Sequence, residues 1–260
     1  SRNYRKAPEA VDALTEELGG RGRFVWVQRN LTPRQRQAVF SLGLPGLGFR
    51  MEPRRVYPRG RLASHIVGYT DRDMAGLAGA ERAFDSALLS GDGRPVALSI
   101  DMSVQFHVDE VLRSTMADFE ADAAVGVVMN VRTGEILSMV SLPDYDPNRP
   151  TDADASGRLN RAAQSVYEMG STFKAFTVAM ALENGTATLE SGYDASNPLR
   201  IGGHTIHDYH AENRQLTLAE IFTHSSNIGS SPIALEAGAE AQRGFLGDLR
   251  LLERAPIELA

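Results

Sequence analysis

Ser171 and Lys174 stand three residues apart in Glu168-Met169-Gly170-Ser171-Thr172-Phe173-Lys174, a spacing that sets a hydroxyl and an amine on one face of a helical turn. An amine so placed, once burial lowers its proton affinity, can take the proton of the hydroxyl and make it a nucleophile. Free N–H groups in a first helical turn favour the negative charge that such an attack develops. Of the 27 basic residues only Lys6 and Lys174 are lysines. Arginine, which cannot be deprotonated in a protein, serves almost everywhere else, and this singles out Lys174. Ser225 and Asn227 flank one residue in His224-Ser225-Ser226-Asn227. In an extended turn their side chains point the same way, one a hydroxyl able to relay a proton and the other an amide able to bind a peptide group. Taken singly, the same residues also fit a capping serine, an exposed lysine and a polar turn.

Other clusters carry less. His204, His207 and His210 with Asp208 could be drawn as a metal site, but their spacing swings round a helix and Gly202-Gly203 lies beside them, so a loop near the site's rim is expected and no metal. Leu42 to Gly48 is neither a GxGxxG nor a lysine-terminated phosphate loop and reads as a turn. Arg50, Arg54, Arg55, Arg59 and Arg61 lack the aromatic alternation of an RNA surface. The net charge of −6 also argues against nucleic acid as a partner. The absence of cysteine removes disulfides, thiolate zinc sites and cysteine nucleophiles.

With 260 residues, 42% hydrophobic and 23% charged, the chain is globular and long enough for one large domain or two smaller ones. It has no apolar run of the roughly 18 residues a membrane span needs. Residues 1–95 carry 16 basic against 10 acidic side chains, +6, and residues 96–260 carry 11 against 23, −12. The shift falls at the turn-rich stretch Gly91-Asp92-Gly93-Arg94-Pro95, which places a domain boundary near residue 95. Patterning predicts a helix over 8–18, a strand over 24–27 and a helix from Pro33 capped by Thr32. Further on it predicts a strand over 96–100 and a helix capped by Asp101, with Val104, Val108, Val111 and Leu112 on one face. A hairpin follows over 123–130 and 135–141, then a proline-rich loop over 142–150. A buried helix running to Asn184-Gly185 should hold Ser171 in its first turn. A short helix over 218–223 opens with a Thr217/Glu220 capping box and empties into the Ser225 turn.

Ser171-Thr172-Phe173-Lys174 followed by Ser225-Ser226-Asn227 resembles the first two of three active-site motifs of penicillin-binding proteins and serine β-lactamases. Arg55-Val56-Tyr57-Pro58-Arg59-Gly60, His65-Ile66-Val67-Gly68-Tyr69, Asn130 to Glu135, Ser141 to Asn148 and Ser225 to Gly229 look like the class B, division-specific type. The resemblance implies an α+β fold. A non-catalytic N-terminal pedestal, similar to a dimerisation domain, would occupy 1–95. The first part of a penicillin-binding-protein/serine β-lactamase-like transpeptidase domain, an antiparallel sheet with helices and an all-α subdomain, would occupy 96–260. It implies an enzyme tethered to the bacterial inner membrane that cross-links peptidoglycan in the periplasm at the septum, without a cofactor.

By position, Ser171 would attack the D-Ala-D-Ala carbonyl, Lys174 would be the base, Ser225 would pass the proton to the leaving D-Ala, and Asn227 would hold the acylating peptide. β-Lactams would mimic the stem peptide. Division-complex proteins, including a lipid-linked glycan polymerase, would be the partners. No general base for deacylation by water is identifiable, which sets a D,D-carboxypeptidase or β-lactamase-like hydrolase behind a transpeptidase; a non-catalytic division scaffold is the third reading. The family's third motif, Lys-Ser/Thr-Gly, is missing, since Lys6 precedes Ala7 and Lys174 precedes Ala175. A fragment of a longer protein is therefore expected, at best a poor acyl acceptor, with an unpaired edge on its hairpin.

Overall fold

The computed structural model describes residues 8–20, 24–90 and 93–259. Gly91 and Asp92, part of the boundary expected near residue 95, lie outside them. The chain forms two compact units, Ser1–Pro53 and Arg54–Ala260. Among the described residues no helix is long and apolar enough to cross a membrane.

In the first unit, helices span Pro8–Gly19 and Pro33–Phe40. Thr32 caps the second with a full capping box: Gln35 N–H donates to the Thr32 hydroxyl at 3.2 Å and Thr32 N–H to Gln35 Oε1 at 2.9 Å. The strand expected over 24–27 does not form. Its aromatics are held by side-chain contacts instead, Phe24 edge-on to Trp26 and the Arg29 guanidinium 4.2 Å from the Trp26 ring.

The second unit is built on the helix α1 (Met102–Asp118) and the antiparallel hairpin β1 (Ala124–Met129) and β2 (Ile136–Leu142). Asp101 caps α1 as expected, accepting from Ser103 and Val104 N–H. Val108 and Leu112 of α1 lie over Gly126, where a Cβ would stand 2.9 Å from each; glycine lets helix and strand approach. Val111, expected on the same face, is exposed, and Gln105 is buried in its stead. The expected strand over 96–100 is also absent. That stretch runs along the outer edge of β2, with Ser99 Oγ donating to Ile136 O at 2.7 Å and Asp101 N–H to Leu137 O at 2.9 Å. The Gln105 amide continues the pattern, donating to Met139 O and accepting from Met139 N–H. One side chain thus does the work of a neighbouring strand.

The charge boundary near 95 does not interrupt packing. Compactness begins at Arg54, because residues 54–90 are stitched to the loop after β2. Tyr57 N–H donates to Asn148 Oδ1 and Asn148 Nδ2 to Tyr57 O, both at 2.9 Å. Tyr145 Oη donates to Ser64 O, and Arg55 pairs with buried Glu81 at 2.6 Å. Asp144, also buried, takes both Arg61 and Arg113. His65 Nε2 lies 2.9 Å from Gly157 O, and burial lowers its pKa.

Three helices form the second core: α2 (Lys174–Glu183), α3 (Leu218–Thr223) and α4 (Asn227–Asp248), the last broken at Gly238, where φ is +81°. Val178 and Ala181 of α2, Leu218 and Ile221 of α3, and Ile228 and Ile233 of α4 meet there with Tyr193 and Leu216. The last two come from the paired strands Gly192–Asp194 and Gln215–Thr217. α2 stops at Gly185, in the left-handed region, and α3 carries the expected Thr217/Glu220 box.

Two predictions follow from this packing. Among the described residues β1 has β2 as its sole strand neighbour, and Val125, Val127 and Met129 are exposed on the face away from α1. Val127→Lys should therefore reduce concentration-dependent light scattering while changing stability by no more than about 0.5 kcal/mol. At Gly229 a Cβ would lie 2.6 Å from Ile221 Cγ1 and 3.2 Å from Ser226 Oγ. Overpacking by about 1–3 kcal/mol outweighs the gain in helix propensity of up to about 1 kcal/mol. Gly229→Ala should lower the denaturation midpoint accordingly.

Candidate active site

The ends of α2, α3 and α4 converge on one small region. Ser171 lies in a single 3-10 turn, Gly170–Phe173, so α2 begins at Lys174 rather than around Ser171 as the sequence predicts. Gly170, at φ +54°, turns the chain into it. Ser171 is exposed, and Lys174 is half-buried. The Lys174 amine is seated on Ser225 rather than on Ser171. It donates to Ser225 Oγ at 3.0 Å and also to Ser225 O. Burial pushes this amine below the ordinary lysine range, and the Asp208 carboxylate pulls the other way.

Ser225 leaves α3 with φ +53°, in the left-handed region, so the turn is not extended. Ser226 is the N-cap of α4, accepting from Gly229 N–H at 2.9 Å. Asn227 opens α4, and its Nδ2 donates to His207 O at 2.8 Å. The structure thus joins Lys174 directly to Ser225 and holds Asn227 two residues on, while Ser171 stands one turn before Lys174.

Asp208, expected in a loop near the rim of the site, lies in this region with partners that the sequence pattern does not supply. Its Oδ2 accepts from Ser226 Oγ at 2.7 Å, and its Oδ1 from Ile228 N–H at 2.9 Å and from Asn227 N–H. The histidines beside it do not join it: among the described residues no three His, Asp or Glu side chains converge to hold a metal. A cavity of about 390 Å³ lies elsewhere, lined by Ile66, Ile100, Ile136 and Ile257, and none of the four candidate residues borders it.

Residues 124–260 match the family described as "Penicillin binding protein transpeptidase domain". A Caulobacter vibrioides protein named "Probable peptidoglycan D,D-transpeptidase FtsI" is 48% identical over 237 residues, 90% of this chain and 40% of its own length. "Probable peptidoglycan D,D-transpeptidase PenA" of Neisseria gonorrhoeae is 33% identical, over 92% of this chain and 46% of its own. The solved D,D-transpeptidase domain of a peptidoglycan glycosyltransferase from Eggerthella lenta superposes with a TM-score of 0.68 at 28% identity, over 80% of this chain and 50% of that one. The chain spans less than half the length of these two curated relatives. Motifs, fold and relatives together place the chain in the penicillin-binding protein transpeptidase family, among the class B proteins of FtsI type.

Proposed function

We propose that this chain carries the acylating half of a peptidoglycan D,D-transpeptidase of septal wall synthesis, with Ser171 as nucleophile. The observation that carries this reading is the seating of the Lys174 amine on Ser225, one turn from Ser171. A neutral amine has two N–H groups and one lone pair. With both N–H groups on Ser225, the lone pair remains to accept the Ser171 proton as Ser171 Oγ attacks the carbonyl of the penultimate D-Ala. Ser225 Oγ accepts from Lys174 and keeps its own proton, which it gives to the departing D-Ala nitrogen while Lys174 restores it. An amine of a second stem peptide then takes the acyl group from Ser171. Asn227 Nδ2 is committed to His207 O, while its Oδ1 has no partner among the described residues and accepts a peptide N–H of the donor strand.

β-Lactams enter by the same attack and stay on Ser171. Residues 1–95 serve as the non-catalytic pedestal, its 54–90 stretch packed on the transpeptidase part 96–260, in a periplasmic protein held at the inner membrane. Its partners are division proteins, including a lipid-linked glycan polymerase. A hydrolase on the same scaffold needs a base for water, and Asp208, the acid whose field reaches Lys174 among the described residues, binds the Ser226–Ile228 turn and makes no hydrogen bond to Ser171 or Lys174.

Covalent labelling by a fluorescent penicillin, read by intact mass, tests the reading. Label should appear on the wild-type chain and vanish in Ser171→Ala; equal labelling of the two would overturn the assignment. Lys174→Arg keeps the charge but cannot act as a base, and should slow labelling by about 10²–10⁴-fold. The pH dependence has a fixed sign. Lys174 acts when neutral, so the labelling rate should rise with pH through an apparent pKa below the 10.5 of a free lysine side chain. A rate that falls as the amine deprotonates would contradict its role as base.

A further inference from the structure

We infer that Asp208 is the positioning residue that holds the Ser225-Ser226-Asn227 turn against Lys174. The inference rests on the acyl-enzyme reading above for its consequence, though not for its geometry. Ser225 sits at φ +53°, where a residue with a Cβ stays only if its surroundings over-determine it. The end of α3 supplies part of them, with Ser225 N–H donating to Phe222 O at 3.2 Å and Ser226 N–H to Ile221 O at 3.0 Å, and one carboxylate holds the residues that follow. Asp208 gathers donors from the three residues that follow Ser225: the Ser226 hydroxyl at 2.7 Å, the Asn227 N–H and the Ile228 N–H at 2.9 Å. Its neighbour His207 adds a fourth link through its carbonyl, which receives the Asn227 amide at 2.8 Å.

The loop carrying Asp208 is thereby a splint across the start of α4. The bonds at the end of α3 keep Ser225 left-handed; what the splint fixes is how the chain leaves them, and its removal frees Ser226 and Asn227 to shift and draw the Ser225 Oγ and carbonyl off the Lys174 amine. Among the described residues Asp208 makes no hydrogen bond to Ser171 or Lys174, so it acts on the turn and not on the reacting proton. Its function is to fix the distance of 3.0 Å between Lys174 Nζ and Ser225 Oγ and to orient the Asn227 amide.

Geometry and charge can be separated at this position. Asp208→Asn loses the charge but keeps an Oδ1 for the Asn227 and Ile228 N–H groups, and its Nδ2 can donate to Ser226 Oγ. Asp208→Glu keeps the charge but moves the carboxylate by one methylene. Asp208→Ala loses both. The penicillin-labelling rate at Ser171 should fall about 10- to 100-fold in Asp208→Ala and Asp208→Glu, and recover to within about threefold of wild type in Asp208→Asn. Hydrogen exchange at the Asn227 and Ile228 amides should accelerate in the first two and not in the third.

An active Asp208→Glu beside an inactive Asp208→Asn would overturn the positioning role in favour of the charge. Unchanged exchange and labelling in a folded Asp208→Ala would overturn it outright. Should Asp208→Ala not fold, the Asn and Glu pair decides alone. A wild-type chain that takes no label overturns the acyl-enzyme reading, and amide exchange in the same variants still decides whether Asp208 holds the turn.

Discussion

The Lys174 amine and the Ser225 hydroxyl meet across 51 positions of chain, so no local propensity brings them together. Their contact depends on where α2 begins, where α3 ends and where α4 starts, and these three points are set by one apolar core. Ala181, Leu218, Ile221 and Ile233 in that core are all but completely buried. At protein packing density a displaced methylene there is felt at the helix ends, and a reacting geometry tolerates little displacement. The same burial that positions the amine also strips water from it and lowers its proton affinity. The placement of the amine and the lowering of its proton affinity thus share one physical cause.

What could be read from sequence alone follows from how local each interaction is. The Thr217/Glu220 box, the Asp101 cap and the Gly185 stop are satisfied within a few residues, so spacing sufficed. The hairpin was legible because alternation and turn agree. The strands expected over 24–27 and 96–100 failed because a strand needs a partner, which composition cannot supply; the second became an edge strip completed by Gln105. Ser171 and Lys174 were found by type and spacing. That Ser225 would be left-handed follows from how α3 ends, with Ser225 N–H on Phe222 O and Ser226 N–H on Ile221 O, and that Lys174 would turn to it depends on elements 51 residues apart.

The motifs shared with class B proteins divide into two kinds. Ser171, Lys174, Ser225 and Asn227 gather at the helix ends. The others bind one another: Tyr57 to Asn148, Arg55 to Glu81, His65 to the carbonyl of Gly157. These partly or wholly buried polar pairs explain why residues 54–90 belong to the compact unit of the hairpin despite their different charge. Polar partners in a buried setting are costly when mismatched and so specify one arrangement. The motifs by which this chain resembles class B proteins therefore hold a joint together as well as a candidate site.

The electrostatics of the site turn on a carboxylate that is present but occupied. A free acid beside Lys174 would pair with the amine, hold it protonated and defeat its use as a base. Asp208 is close enough for its field to oppose the effect of burial, yet burial remains the larger influence and the amine stays below the ordinary lysine range. The carboxylate is bound by the turn instead: two backbone N–H groups at the positive end of α4 and the Ser226 hydroxyl donate to it, and among the described residues it makes no hydrogen bond to the amine. Asp208 therefore holds the turn without pairing with Lys174.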